Sequence, residues 1–189
     1  MITEEAAQSA DAFALPHENV GEFGIEPGMR VADFGAGSGH YALAMAAATQ
    51  NSGEVYVIDI QKDLLTRIKN QAHARGFNNI EVIWGDLERA GASKIADEHL
   101  DLVLVSNLFF QLESKESAFR EAMRVLKPRG RLVVIDWTES FGGLGPIQKH
   151  VFPEKTAIAM AEACGFKRAQ SFSAGAHHYG LIFIKPHAI

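Results

Sequence analysis

Three glycines, at 35, 37 and 39, stand close together in VADFGAGSGHYALAMA, between a run of strand formers and a run of helix formers. Glycine loses more backbone entropy on ordering than any other residue, so such a cluster marks a sharp turn or a close approach by something else. A strand running through Gly35, Ala36, Gly37 and Gly39 into a helix presents bare backbone and unpaired N–H groups, which suits a mononucleotide-like ligand. Three further polar residues end β-rich runs: Asp59 closes VYVID, Asp86 closes VIWGD and Asn107 closes LVLVSN. Asp59 is placed to accept hydrogen bonds from both hydroxyls of a ribose. The glycine spacing is G-x-G-x-G, with His40 where a dinucleotide fingerprint calls for Gly or Ala, which argues against a nicotinamide-dependent oxidoreductase.

These residues need elements that bring them to one edge. Apolar periodicity predicts strands over 29–34, 54–58, 80–84, 100–105 and 131–136, alternating with helices over 39–49, 62–75, 114–126 and 153–164. Such alternation makes a parallel sheet with crossover helices, and it puts Gly35, Asp59, Asp86 and Asn107 at its carboxyl edge. Two last strand-like runs, 168–173 and 179–185, are joined by too few residues for a crossover, so they should pair antiparallel. Ahead of the first strand, Thr3 can cap an Ala-rich helix that Pro16 ends. Residues 1–29 then read in two ways, as a lid that folds Phe23 and Ile25 over the carboxyl edge or as a packed tail.

The 189 residues and 47% hydrophobic content suffice for one α/β domain, 1–189, with no composition break. No apolar stretch approaches the roughly 20 residues of a membrane span. The first 29 residues hold no Lys or Arg, unlike a secretion signal, so a cytoplasmic location is expected. Net charge is −5; the acids before Arg30 account for it, and the remaining charges nearly balance. A body without a basic run does not suit nucleic acid. Cys164 is the only cysteine, which excludes an internal disulfide and a cysteine-based metal site; in AMAEACGF it reads as an inert thiol.

The segments VADFGAGSG, VIDI, WGDLE, LDLVLVSNLFFQL and EAMRVLKPRGRLVVIDW follow one another in the order and spacing of the class I S-adenosylmethionine-dependent methyltransferases. The chain resembles that family, most closely its small-molecule branch of the ubiquinone/menaquinone-biosynthesis type. The resemblance implies a Rossmann-like seven-stranded, mostly parallel sheet of order 3-2-1-4-5-7-6, with strand 7 antiparallel and helices on both faces. It implies S-adenosyl-L-methionine as cofactor and a small-molecule methyl acceptor. Carried over by position, Asp33 and the 35–39 loop would hold the methionine part and Asp59 the ribose. Asp86 and the Leu87 N–H would meet the adenine, Ile60 and Leu87 would cover its faces, and Asn107 would lie near the sulfonium. Relatives often carry a histidine pair where this chain has Phe110 and Gln111, so no proton relay is expected there.

Methyl transfer from a sulfonium is an in-line displacement, and a base is needed only if the acceptor must lose a proton. Candidates follow strand five, namely Asp136, Glu139 and His150, with His17 in the possible lid; His150, in GPIQKHVFPEK, is the residue expected to serve. His177 and His178 read as solvent-facing in the hairpin turn, and no metal site is expected. Phe109, Phe110, Trp137 and Phe141 are either an apolar pocket wall or core. Arsenic methylation in this family uses several cysteines, which disfavours a metalloid acceptor here. A cofactor-binding protein without transfer activity stays open as the alternative function.

Overall fold

The computed structural model describes residues 15–141 and 145–187. The first helix, α1 (Pro16–Glu22), opens on Pro16, whose fixed φ and missing N–H suit a first turn. Pro16 therefore starts a helix, where the sequence reading had it end one. The earlier Ala-rich helix lies outside the described residues. There follow β1 (Arg30–Phe34), α2 (His40–Thr49), β2 (Glu54–Asp59), α3 (Lys62–Ala74) and β3 (Ile80–Trp84). The second half runs β4 (Leu100–Ser106), α4 (Lys115–Val125), β5 (Leu126–Trp137), α5 (Glu154–Ala163), β6 (Lys167–Ser173) and β7 (His178–Ile184).

The seven strands form one sheet of order β3-β2-β1-β4-β5-β7-β6. β1 to β5 are parallel, and β7 runs antiparallel to both β5 and β6. Because side chains alternate across a strand, each central strand feeds two cores. Ala32, Val103, Val105, Leu132 and Val134 pack on the face that carries α4 and α5. Val31, Leu102, Leu104, Val133 and Ile135 pack on the face of α1, α2 and α3. Helix α2 buries Tyr41 to Ala46 in succession, and its Ala-rich composition lets it lie close between the sheet and its neighbours. Phe23, read from the sequence as part of either a lid or a packed tail, is fully buried beneath Tyr41 and Phe172, with ring centroids 6.1 and 6.3 Å away.

The connection between β3 and β4 is fastened by one carboxylate. Glu121 on α4 accepts from the N–H groups of Gly91 and Ser93 and from the Ser93 hydroxyl, and Arg124 bridges it to Asp97. Burial pushes the Glu121 carboxyl up, but the hydrogen bonds from Arg124 and Ser93 outweigh it and hold it below the usual range.

β5 begins at Leu126, five residues earlier than its apolar run suggests, and it passes through Arg129 at φ 68°. A side chain at this left-handed angle costs about 1–2 kcal/mol, partly offset in a glycine variant by the freer unfolded chain. Arg129 is exposed, so Arg129→Gly should raise stability by about 0.5–1 kcal/mol. A urea melt checks this, and a lower midpoint for the variant would show that the arginine contributes something else.

Candidate functional site

The three glycines of the β1–α2 turn all have positive φ, at 75°, 53° and 83° for Gly35, Gly37 and Gly39. Gly35 and Gly39 are backed by side chains: an added Cβ would lie 2.7 Å from Leu108 Cδ1 at the first and would strike Ile68 at the second. Gly37 has open space, so it is the glycine that faces outward. The turn hangs from the end of β2. Gly35 N–H donates to Ile58 O (2.8 Å), Ala36 N–H to the same oxygen (3.3 Å) and Gly37 N–H to Asp59 Oδ2 (3.0 Å). Asp59 Oδ1 accepts from Gln61 N–H at 2.8 Å. Each carboxylate oxygen thus spends one lone pair on the backbone and keeps one for a ligand.

Asp33 sits one layer below, in β1, almost fully buried, and its Oδ2 has no hydrogen-bond partner among the described residues. Burial pushes its carboxyl up to about 7, the Asp59 charge adds to this, and the Ala42 N–H opposes it. On the other side of the turn, Asn107 holds φ 53°, with its N–H on Ile135 O and its own carbonyl accepting from Gln111 Nε2. Its Oδ1 is also buried without a partner among the described residues. Two idle acceptors and two carboxylates around an open glycine turn suit a ligand that brings donors and positive charge.

The remaining residues expected at the cofactor are placed unevenly. Ile60 is 57% exposed at the end of β2, and beside it Trp84 donates its Nε1–H to Ile60 O. Leu87 is buried in the core face of α4 and α5. Asp86 caps its own turn, with Oδ1 accepting from Glu88 N–H and Oδ2 meeting Arg89 Nε at 3.2 Å.

On the acceptor side the structure redistributes the candidates. Asp136 is fully buried and accepts from Phe109 N–H (3.2 Å) and Trp137 N–H (2.8 Å), which ties the loop after β4 to the end of β5. Burial pushes its carboxyl up to about 7 against those two bonds. Phe109 packs on Phe119 and Phe152 in the core, Trp137 is buried, and Phe141 is 41% exposed. Glu139 pairs with His177 Nδ1 at 3.0 Å, while Phe141 stacks on that ring. His150 is exposed on the Gln148–His150 turn, and its ring hydrogen-bonds to none of the described residues, so nothing fixes it toward the site; His17 is exposed on α1.

His178 corrects the sequence reading. It is the first residue of β7 and only 3% exposed, where a solvent-facing turn was expected. The signal was present in HHYGLIFI: extending the strand by one residue puts His178 in phase with Gly180 and Ile182, on an inward face. His177, also expected in solvent, is held by Glu139 and Phe141. Cys164 is half-buried, and burial pushes its thiol up, away from nucleophilic character.

Among the described residues no three His, Cys, Asp or Glu side chains are grouped to hold a metal ion, and no helix is long and apolar enough to cross a membrane. The family described as methyltransferase domain matches residues 25–170. The ubiquinone/menaquinone biosynthesis C-methyltransferase of Laribacter hongkongensis is 30% identical over 131 residues, 69% of this chain and 52% of that protein. This chain thus spans about half the length of the curated relatives it matches. A SAM-dependent methyltransferase from Aquifex aeolicus superposes with a TM-score of 0.85 at 24% identity, covering 96% of this chain and 97% of the other. An arsenic(III) S-adenosylmethionine methyltransferase from Chlamydomonas reinhardtii superposes with a TM-score of 0.67 at 23% identity, covering 96% and 73%.

Proposed function

Because this chain belongs to the class I S-adenosylmethionine-dependent methyltransferase family, we propose that it methylates a small-molecule acceptor at the carboxyl edge of its sheet. The observation that carries this reading is the open glycine turn at Gly37, flanked by the idle buried acceptors Asp33 Oδ2 and Asn107 Oδ1. Those atoms fit S-adenosylmethionine, whose ammonium, ribose hydroxyls and sulfonium bring the donors and positive charge they lack. When bound, it supplies an activated methyl group whose leaving group is a neutral thioether.

On this reading Asp33 and the 35–39 turn hold the methionine part, and Asp59 takes the ribose hydroxyls on its spare lone pairs. Ile60 covers one adenine face, with Asp86 and the Leu87 N–H at the ring edge. Asn107 lies toward the sulfonium, and its strained backbone is held by Ile135 and Gln111. Leu108 packs against Gly35 and so joins the glycine turn to the loop after β4. The work of these residues is alignment and exclusion of water, which supplies about 7–11 kcal/mol in the best oriented cases. An organic acceptor fits better than a metalloid, since Cys164 is the only thiol.

Calorimetry is expected to show binding of S-adenosylmethionine and S-adenosylhomocysteine and none of NADH. Release of S-adenosylhomocysteine across a panel of acceptors then tests transfer itself. Binding of NADH with no response to either sulfur nucleotide would overturn the reading.

A further inference from the structure

Two adjacent histidines have opposite fates at the start of β7. His177 binds Glu139 and stacks on Phe141. His178 turns inward against Trp137, with ring centroids 4.2 Å apart, and both its Nδ1 and Nε2 are buried with no partner among the described residues. An apolar ring would fill this space without leaving two polar atoms idle, so a histidine here marks a place where something else pairs with it.

We propose that His178 anchors the methyl acceptor by a hydrogen bond to a neutral hydroxyl or carbonyl oxygen, an inference that rests on the methyl-transfer reading above. Its place in the sheet supports this. β7 is antiparallel, so its first residue lies at the carboxyl edge, paired with Trp137 of β5. Asn107 N–H bonds to Ile135 O on that same β5, and β4, β5 and β7 are neighbours. Asn107 and His178 are thus two strand spacings apart, about 10 Å. A small molecule spans that distance, with its methylated atom near Asn107 and a polar substituent on His178. Burial, with the neighbouring His177 adding to it, pushes the ring's pKa down to about 4, so the imidazole is neutral and offers one donor and one acceptor. A hydroxyl matches both, whereas a carboxylate can only accept from the N–H, leaves the other nitrogen unpaired and buries its charge without a cationic partner.

The test uses phenol, toluene and benzoate as probes on the full chain saturated with S-adenosylhomocysteine, followed by the ring resonances of His178 in NMR. Phenol is expected to shift those resonances saturably, and toluene and benzoate are not. His178→Phe should keep cofactor affinity, melt at the same or a higher temperature and bind phenol roughly 2- to 12-fold more weakly. Resonances that phenol leaves unmoved, or equal phenol affinity in the variant, would overturn the inference. Should His178→Phe fail to fold, the parent titration and His178→Gln, which retains hydrogen bonding and should retain phenol binding, decide the matter. Failure of the parent to bind S-adenosylhomocysteine would instead count against the methyl-transfer reading.

Discussion

Asp59→Ala is expected to weaken S-adenosylmethionine binding by roughly 10- to 150-fold. The ribose hydroxyls would lose charge-assisted hydrogen bonds of about 1.5–3 kcal/mol. The same carboxylate also holds the Gly37 and Gln61 N–H groups, so its removal frees the glycine turn as well. That second loss places the expected effect toward the upper end of the range. Asp59→Asn keeps one carbonyl oxygen for one of these partners but sets an NH₂ donor against the others, and its loss should be intermediate. Calorimetry with both variants, beside a melt to confirm folding, measures the effect. Parent-like affinity in the folded alanine variant would show that this strand end does not hold the ribose.

Asp33→Asn should have opposite effects on stability and on binding. Asp33 in the folded protein keeps its proton up to about pH 7, against 3.8 for the ordinary group, because burial and Asp59 disfavour its charge. Between these values the folded state holds more protons than the unfolded, so stability is highest below about pH 4 and falls as pH rises through 7. The ionised form costs on the order of 4 kcal/mol, from the rise of 3.8 to about 7. The asparagine variant escapes this cost, less what its own idle amide incurs, and should be more stable than the cofactor-free parent at pH 8 by about 1–3 kcal/mol. At pH 4, where the parent carboxyl is largely protonated and escapes the cost too, the variant should be the less stable by what its idle amide incurs, about 1–3 kcal/mol. Asp136, also raised to about 7, acts in the same direction and stays in the variant, so a smaller fall with pH should persist. Binding reverses the order: the carboxylate suits a cationic ligand, so parent affinity for S-adenosylmethionine should rise from pH 5.5 to 8 while that of Asp33→Asn stays low. Denaturant melts and calorimetry at these pH values test both limbs. A variant no more stable than the parent at pH 8 would show that Asp33 is ionised without penalty.

The sheet was legible in the sequence because central parallel strands are apolar on both faces and end abruptly at polar residues. β3, expected over 80–84, is observed as Ile80–Trp84, and the short link before β7 foretells its antiparallel pairing with β6, whereas the strand order was implied by the family resemblance. The start of β5 was hidden because Pro128 and Gly130 read as a turn, although Leu126 already pairs with Leu100. Helix α1 was missed because Pro16 punctuates in both directions, ending one helix or opening the next. The glycine turn and Asp59 were readable from residue type at a strand end. The idle state of Asp33 Oδ2 was not, because it depends on how closely α2 lies over β1. His178 was misplaced by a single residue, since a strand begun one position late leaves its inward histidine in the turn.

The antiparallel hairpin also sets a timetable for synthesis. The glycine turn and Asp59, on β1 and β2, are made by residue 59, long before β7, which begins at His178. Asn19 reaches Ala174 across 155 residues, and Glu22 reaches Gln170 across 148, so these two contacts of α1 must wait for nearly the whole sequence. Contacts so distant in sequence slow folding, since the loop between them must be closed before they contribute. A nascent chain on the ribosome therefore carries the glycine turn and Asp59 long before it can complete the β5–β7–β6 side of the sheet.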